Sequence, residues 1–225
     1  MGNAQPLFSL MLVKRVHVQE AFAFHVAAAS NDRHLQPRTQ SELEAFAEGS
    51  QLFIAKSIAS DNVVGLCYVV PFTDHEWELG GMCVARNERR SDVATALGVF
   101  AIAHTVVHDR PWFYGDEIVA YVAAENEAGL LLIQSSSLFV HVPDGIDSDA
   151  PGDATETTAP YKKFLFSHDA LHTLTAIFNI CFMNEHSVFR FFTRRHSLFR
   201  IEPRKLSDVL QKGLKAALRD AEHVT

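Results

Sequence analysis

Six consecutive residues, Arg89-Arg90-Ser91-Asp92-Val93-Ala94, stand between a β-rich run and a long segment with an apolar stripe. The first turn of a helix carries unpaired backbone N–H groups and the positive end of the helix dipole, so a diphosphate can sit there. Two arginines neutralise part of the phosphate charge. The small Ala94 lets the phosphate come close. Asp92 tolerates unusual backbone angles better than most residues. Turned outward, its carboxylate would stabilise the helix N-terminus. An ordinary capped helix without a ligand explains the same residues.

Other combinations offer less chemistry. His168 and His172 have the i, i+4 spacing that chelates a metal from one helix face, but no third ligand and no HExxH accompany them. No metal site is therefore expected. Cys83 sits in an apolar run, where an inert buried thiol is the expectation. No G-x-S-x-G elbow and no intact Walker loop is present. The run from Phe189 to Arg200 interleaves aromatic residues with arginine, the ingredients of a nucleic-acid surface. Packing of that run against an acidic body accounts for it equally, and the acidic chain favours this second reading.

The elements that must position these residues follow from periodicity. Leu10–Val16 reads as a strand, followed by a helix through Val18 and Ala29. Ser41, with Glu44 three residues on, reads as the capping box of a second helix. Leu52–Ile58 and Val63–Val70 read as a hairpin that ends at Pro71. Glu78–Val84 is the next strand, and a helix begins at Ser91. Glu117–Ala123 is a strand, Glu125–Ser136 a helix opened by Asn126, and Phe139–Val142 and Tyr161–Phe166 are strands around a polar loop at 144–160. Residues 168–225 read as mostly helical. The expected fold class is mixed α/β: a mostly antiparallel sheet flanked by helices, with a helical C-terminal extension. The expected division is 1–167 as the main domain and 168–225 as a basic extension.

Composition bounds the rest. The 225 residues are 48% apolar and 21% charged, with 17 Phe, ordinary for a globular chain with a large core. No uninterrupted apolar run reaches the length of a membrane span. Charges follow the first apolar run instead of preceding it, so a cytoplasmic protein is expected. The three cysteines, widely spaced, suit a reducing compartment. Residues 1–159 hold nine Lys/Arg against 21 Asp/Glu, whereas residues 160–225 hold 11 against six. The basic tail can meet the acidic body or an acidic partner.

The segment from Glu78-Leu-Gly-Gly-Met-Cys-Val84 through Arg89 to Leu97 resembles motif A of the GNAT N-acetyltransferases, whose turn has the form [Q/R]-x-x-G-x-[G/A]. Leu52–Val69, with Gly65, resembles the hairpin that precedes that motif, and Tyr121–Leu132, with Asn126 and Gly129, resembles motif B. The resemblance covers about residues 10–166. Two positions depart from it: Asp92 stands where the family usually has glycine, and Ile133 where it usually has tyrosine.

The resemblance implies acetyl-CoA as co-substrate. Its implied contacts are Met82, Cys83 and Val84 along the strand, Arg89, Arg90, Ser91, Asp92, Val93, Ala94 and Thr95 at the turn, and Asn126. It implies Glu78 as the base that deprotonates an amine, small-molecule or protein. The acid for the leaving thiolate is open among Tyr121, Tyr114 and Ser135 to Ser137. The expected function is an acetyl-CoA-dependent N-acetyltransferase. The alternatives are a non-catalytic acyl-CoA-binding or protein-interaction module and an aminoacyl-tRNA-directed acetyltransferase. Apolar residues of the last helix would also suit a homodimer contact.

Overall fold

Nine β-rich runs join into one sheet, ordered β6-β7-β5-β4-β3-β2-β1-β9-β8. The strands are β1 (Phe8–Leu12), β2 (Leu52–Ser57), β3 (Val63–Thr73), β4 (Glu76–Val84), β5 (Glu117–Ala123), β6 (Phe139–His141), β7 (Tyr161–Phe166), β8 (Val188–Arg190) and β9 (Leu198–Glu202). The helices are α1 (Val18–Ala29), α2 (Gln40–Glu48), α3 (Val93–His108), α4 (Glu127–Ser135), α5 (His168–Cys181) and α6 (Arg204–Glu222). These come from a computed structural model that describes residues 7–89, 92–109, 111, 115–143, 161–181, 188–190 and 198–222. Only β4–β5 and β1–β9 pair in parallel; the other neighbours are antiparallel. No described helix is long and apolar enough to cross a membrane.

The sheet has apolar side chains on both faces, which is why β3 is buried continuously from Val63 to Val70. One face packs with α1 and α2 around Leu43, Ile54, Leu66 and Tyr68. The other packs with α3, α5 and α6 around Phe53, Phe100, Leu174 and Leu214. Gly65 makes the second face tight. A Cβ there would lie 2.9 Å from Val93 Cγ1, so its absence lets the first turn of α3 rest against β3.

Several boundaries differ from the periodicity, each for a local reason. β1 stops at Leu12, and Arg15–His17 forms a 3-10 turn that leaves Val16 exposed. The α2 cap is Thr39, not Ser41. Its hydroxyl accepts from the Glu42 N–H, while the Glu42 carboxylate accepts from the Thr39 N–H at 2.7 Å. The same box is thus built two residues earlier. Pro71 does not end β3: pairing with β2 is over by Tyr68, so Pro71 lies where the strand has β4 on one side only. α3 begins at Val93 and not at Ser91, which lies outside the described residues, as does the loop 144–160. The hairpin β6–β7 does form. The C-terminal segment has the two expected helices and, in addition, β8 and β9. Leu198–Glu202 alternates well enough to lie beside β1, where Phe199 stacks on Phe8 at 5.5 Å.

Candidate active site

β4 and β5 run side by side for only three residue pairs: Glu76 with Glu117, Trp77 with Ile118, and Glu78 with Val119. Beyond Glu78 they part. Residues 79–84 of β4 keep β3 on one side and no described strand on the other. A row of backbone donors and acceptors is left facing a gap, ready to pair with an extended ligand. A cavity of about 880 Å³ occupies this gap, within the usual size of small-molecule sites.

A bulge opens β4 further. The β3 register steps from Leu66↔Cys83 to Tyr68↔Gly80. Gly81 has φ +61°, the left-handed region that favours glycine, and a Cβ on it would fall 2.3 Å from the Tyr68 ring. Gly80 is equally close, at 2.5 Å. The glycine pair therefore accommodates Tyr68, whose hydroxyl accepts from both Nε and Nη2 of Arg38 at 3.2 and 3.0 Å. Arg38 also pairs with Glu42 at 3.1 Å, and its backbone N–H donates to His25 Nε2. Burial, reinforced by Glu78, pushes the Tyr68 hydroxyl up to about 12.

Glu78 stands at the vertex of the gap, on the face shared with Tyr68. Its side chain is buried, yet its carboxyl makes no hydrogen bond or ion pair among the described residues and lines the cavity. Burial raises its proton affinity, and the charge of Arg38 opposes this. On the same face Glu76 ties three strands together at the base of the gap. It accepts from the Tyr121 hydroxyl at 2.9 Å and pairs with Lys163 of β7.

The turn before α3 supplies the opposite wall. Asp92 has φ +66° and makes no side-chain cap bond with the helix. Aspartate adopts this left-handed conformation more readily than most residues. The first intrahelical bond runs from Ala96 N–H to Asp92 C=O at 2.9 Å. The N–H groups of Val93, Ala94 and Thr95 are the orphan donors of a helix start. Asn126 caps α4 by accepting from Gly129 N–H at 2.9 Å.

Met82, Cys83, Val84, Arg89, Asp92, Val93, Ala94, Thr95 and Asn126 all line the cavity with Glu78. Arg90, Ser91 and Tyr114 lie outside the described residues. Burial and then Asp32 push the Cys83 thiol up to about 12, away from the thiolate form that a nucleophile needs. Ser135 and Ser136 donate to the carbonyls of Leu132 and Ile133, so neither is aimed at the gap. Among the described residues no group of three or more His, Cys, Asp or Glu is placed to hold a metal.

Four further residues belong to the site. Arg38 and Tyr68 meet across 30 positions. Asp32 pairs with Arg89. Tyr161 of β7 lines the cavity on the Glu78 face, beside Tyr121. None carries a local signal; each is placed by the pairing of the sheet or by a loop.

No protein-family model matches the sequence, and no curated protein matches it. Solved structures do match the fold. A GNAT-family acetyltransferase from Streptococcus pneumoniae is 14% identical, with a TM-score of 0.53 over 70% of this chain and 99% of that one. Diaminobutyrate acetyltransferase EctA from Paenibacillus lautus, solved with L-2,4-diaminobutyric acid and coenzyme A, is 12% identical, with a TM-score of 0.53 over 72% and 96%. Ard1 from Thermoplasma volcanium is 11% identical, with a TM-score of 0.51 over 71% and 96%. The parted strands, the bulge and the helix start beside them thus belong to a chain with the GNAT acetyltransferase fold.

Proposed function

We propose that the protein transfers the acetyl group of acetyl-CoA to an amine by direct attack. One observation carries this reading: a buried carboxyl, Glu78, with no hydrogen bond or ion pair among the described residues, at the point where β4 and β5 part into an 880 Å³ cavity. The open edge of β4 suits the amide-bearing arm of coenzyme A, and the start of α3 with Arg89 suits its diphosphate. The similar fold solved with coenzyme A and L-2,4-diaminobutyric acid bound supports the same kind of ligand pair.

In this reaction the amine must be neutral to attack. Glu78 accepts its proton, directly or through one water, with a proton affinity that burial raises above the usual carboxylate value. The new C–N bond forms at the thioester carbonyl carbon, the attacking nitrogen sheds its remaining extra proton to solvent, and the C–S bond breaks. The leaving thiolate has a basicity near that of cysteine, about 8.5, so solvent can protonate it. The side chain of Ile133 offers no acid.

Titration calorimetry with acetyl-CoA, followed by thiol release with a panel of amines, tests the proposal. No binding at millimolar acetyl-CoA overturns it. Ile133 at the acid position favours a second reading, an acyl-CoA-binding module without turnover. Binding with no thiol release across the panel would select that reading.

A further inference from the structure

The segment between α1 and α2 lies across the mouth of the gap, on the Glu78 side, and is tied to both walls. Asp32 Oδ2 pairs with Arg89 Nη2 of the turn before α3 at 3.7 Å. Arg33 Nη2 and His34 Nδ1 pair with the Glu125 carboxylate, in the turn between β5 and α4, at 3.3 and 3.7 Å. The strap is stiffened from within, because the His34 N–H donates to Asp32 Oδ1 at 3.1 Å and the Leu35 N–H donates to Asp32 C=O at 3.1 Å. Asp32, His34 and Arg89 all line the cavity.

Arg89 therefore serves two claimants. It is the cation of the helix-start wall, and it is held by a carboxylate of the opposite, acceptor-side segment. Arg89 and Asp32 are 54% and 38% exposed, so their pair is weak and easily exchanged. A diphosphate offers more negative charge and several acceptor oxygens to the same guanidinium.

We propose that Asp32 couples the two ends of the cleft: the diphosphate of the co-substrate takes Arg89 from Asp32, and the 30–36 strap, released at that end and pivoting on its Glu125 pairs, then swings off the acceptor side. This rests on the acetyl-CoA reading. Access for the amine follows binding of coenzyme A, and the coupling is reciprocal: an acceptor that lifts the strap frees Arg89 and tightens coenzyme A binding.

Asp32→Asn is the suitable variant, since the amide oxygen keeps the acceptor for the His34 N–H and only the charge is lost. Calorimetry with coenzyme A at low salt should show about two- to fivefold tighter binding than wild type, the scale of an exposed ion pair. Equal or weaker binding overturns the proposal. Loss of a nearby negative charge would by itself favour an anion, so wild-type hydrogen exchange supplies the second readout. On addition of coenzyme A, amides of residues 30–36 should exchange faster. Unchanged or slower exchange overturns the latch even if Asp32→Asn binds more tightly. Failure of wild type to bind coenzyme A overturns the acetyl-CoA reading itself. Binding to both proteins with equal affinity spares that reading and removes only the latch.

Discussion

Glu78 carries opposite demands for stability and for chemistry. Its carboxyl is buried with no hydrogen bond or ion pair among the described residues, and burial outweighs the charge of Arg38, so folding favours the protonated form and its folded proton affinity lies above the unfolded one. The stabilisation is complete below the unfolded value, near 4.5, and is lost as pH rises through the folded value. Glu78→Gln should therefore be more stable than wild type at pH 7, with the difference vanishing near pH 4, as read from urea melts. The same substitution should lower the acetyl-transfer rate at pH 7 about 100-fold, the lower end for loss of a general base. His104 shows the reverse sign. Burial and the stacked His108, 4.2 Å away, push it from 6.5 down to about 3. Its neutral form stabilises the fold fully above about 6.5, and this is lost on acidification toward 3. His104→Leu should flatten the decline in stability between pH 6.5 and 4, measured by thermal melts across pH. The buried Nδ1 of His104 has no described hydrogen-bond partner, so leucine removes no bond there.

At the scale of elements, the site is a strand that leaves its neighbour and a bulge that helps it do so. Gly81→Ala combines a left-handed backbone with a Cβ 2.3 Å from the Tyr68 ring. It should cost about 1–3 kcal/mol in denaturant melts and weaken coenzyme A binding, because the edge of β4 must shift. The strand and the helix after it were legible in the sequence because their signals are local. Alternation, an arginine-flanked turn and an apolar stripe fall within about twenty residues, 78–97. The bulge was not legible, since Gly80-Gly81 acquires meaning only when Tyr68 is known to lie opposite. The Arg38–Tyr68 and Asp32–Arg89 contacts were hidden for the same reason. The capping box was recognised as a type but shifted by two residues, because Thr39–Glu42 and Ser41–Glu44 both satisfy the pattern and only the backbone chooses between them.

Across the whole molecule, the tail is part of the sheet. β9 pairs with β1 in register from Phe8↔Phe199 to Met11↔Glu202, and α6 packs against α3 and α5. A helical tail was legible from the stripe of Leu206, Leu210, Leu214 and Ala217; the strands were not, because an arginine–aromatic run of this length fits a strand, a loop or a nucleic-acid surface. Phe199 is fully buried against Phe8. Phe199→Ala should cost about 3–5 kcal/mol, the usual range for a core phenylalanine, by urea denaturation.

The β1–β9 pair also sets a schedule for the newborn chain. Phe8 leaves the ribosome about 190 residues ahead of the strand that covers it. At common synthesis rates that interval is roughly 10–40 s. Throughout it the outer edge of β1 presents unpaired backbone groups and an uncovered aromatic ring to every other nascent chain nearby. The most vulnerable stage of this chain therefore precedes the synthesis of β9, and chaperone demand should track translation speed between β2 and β9.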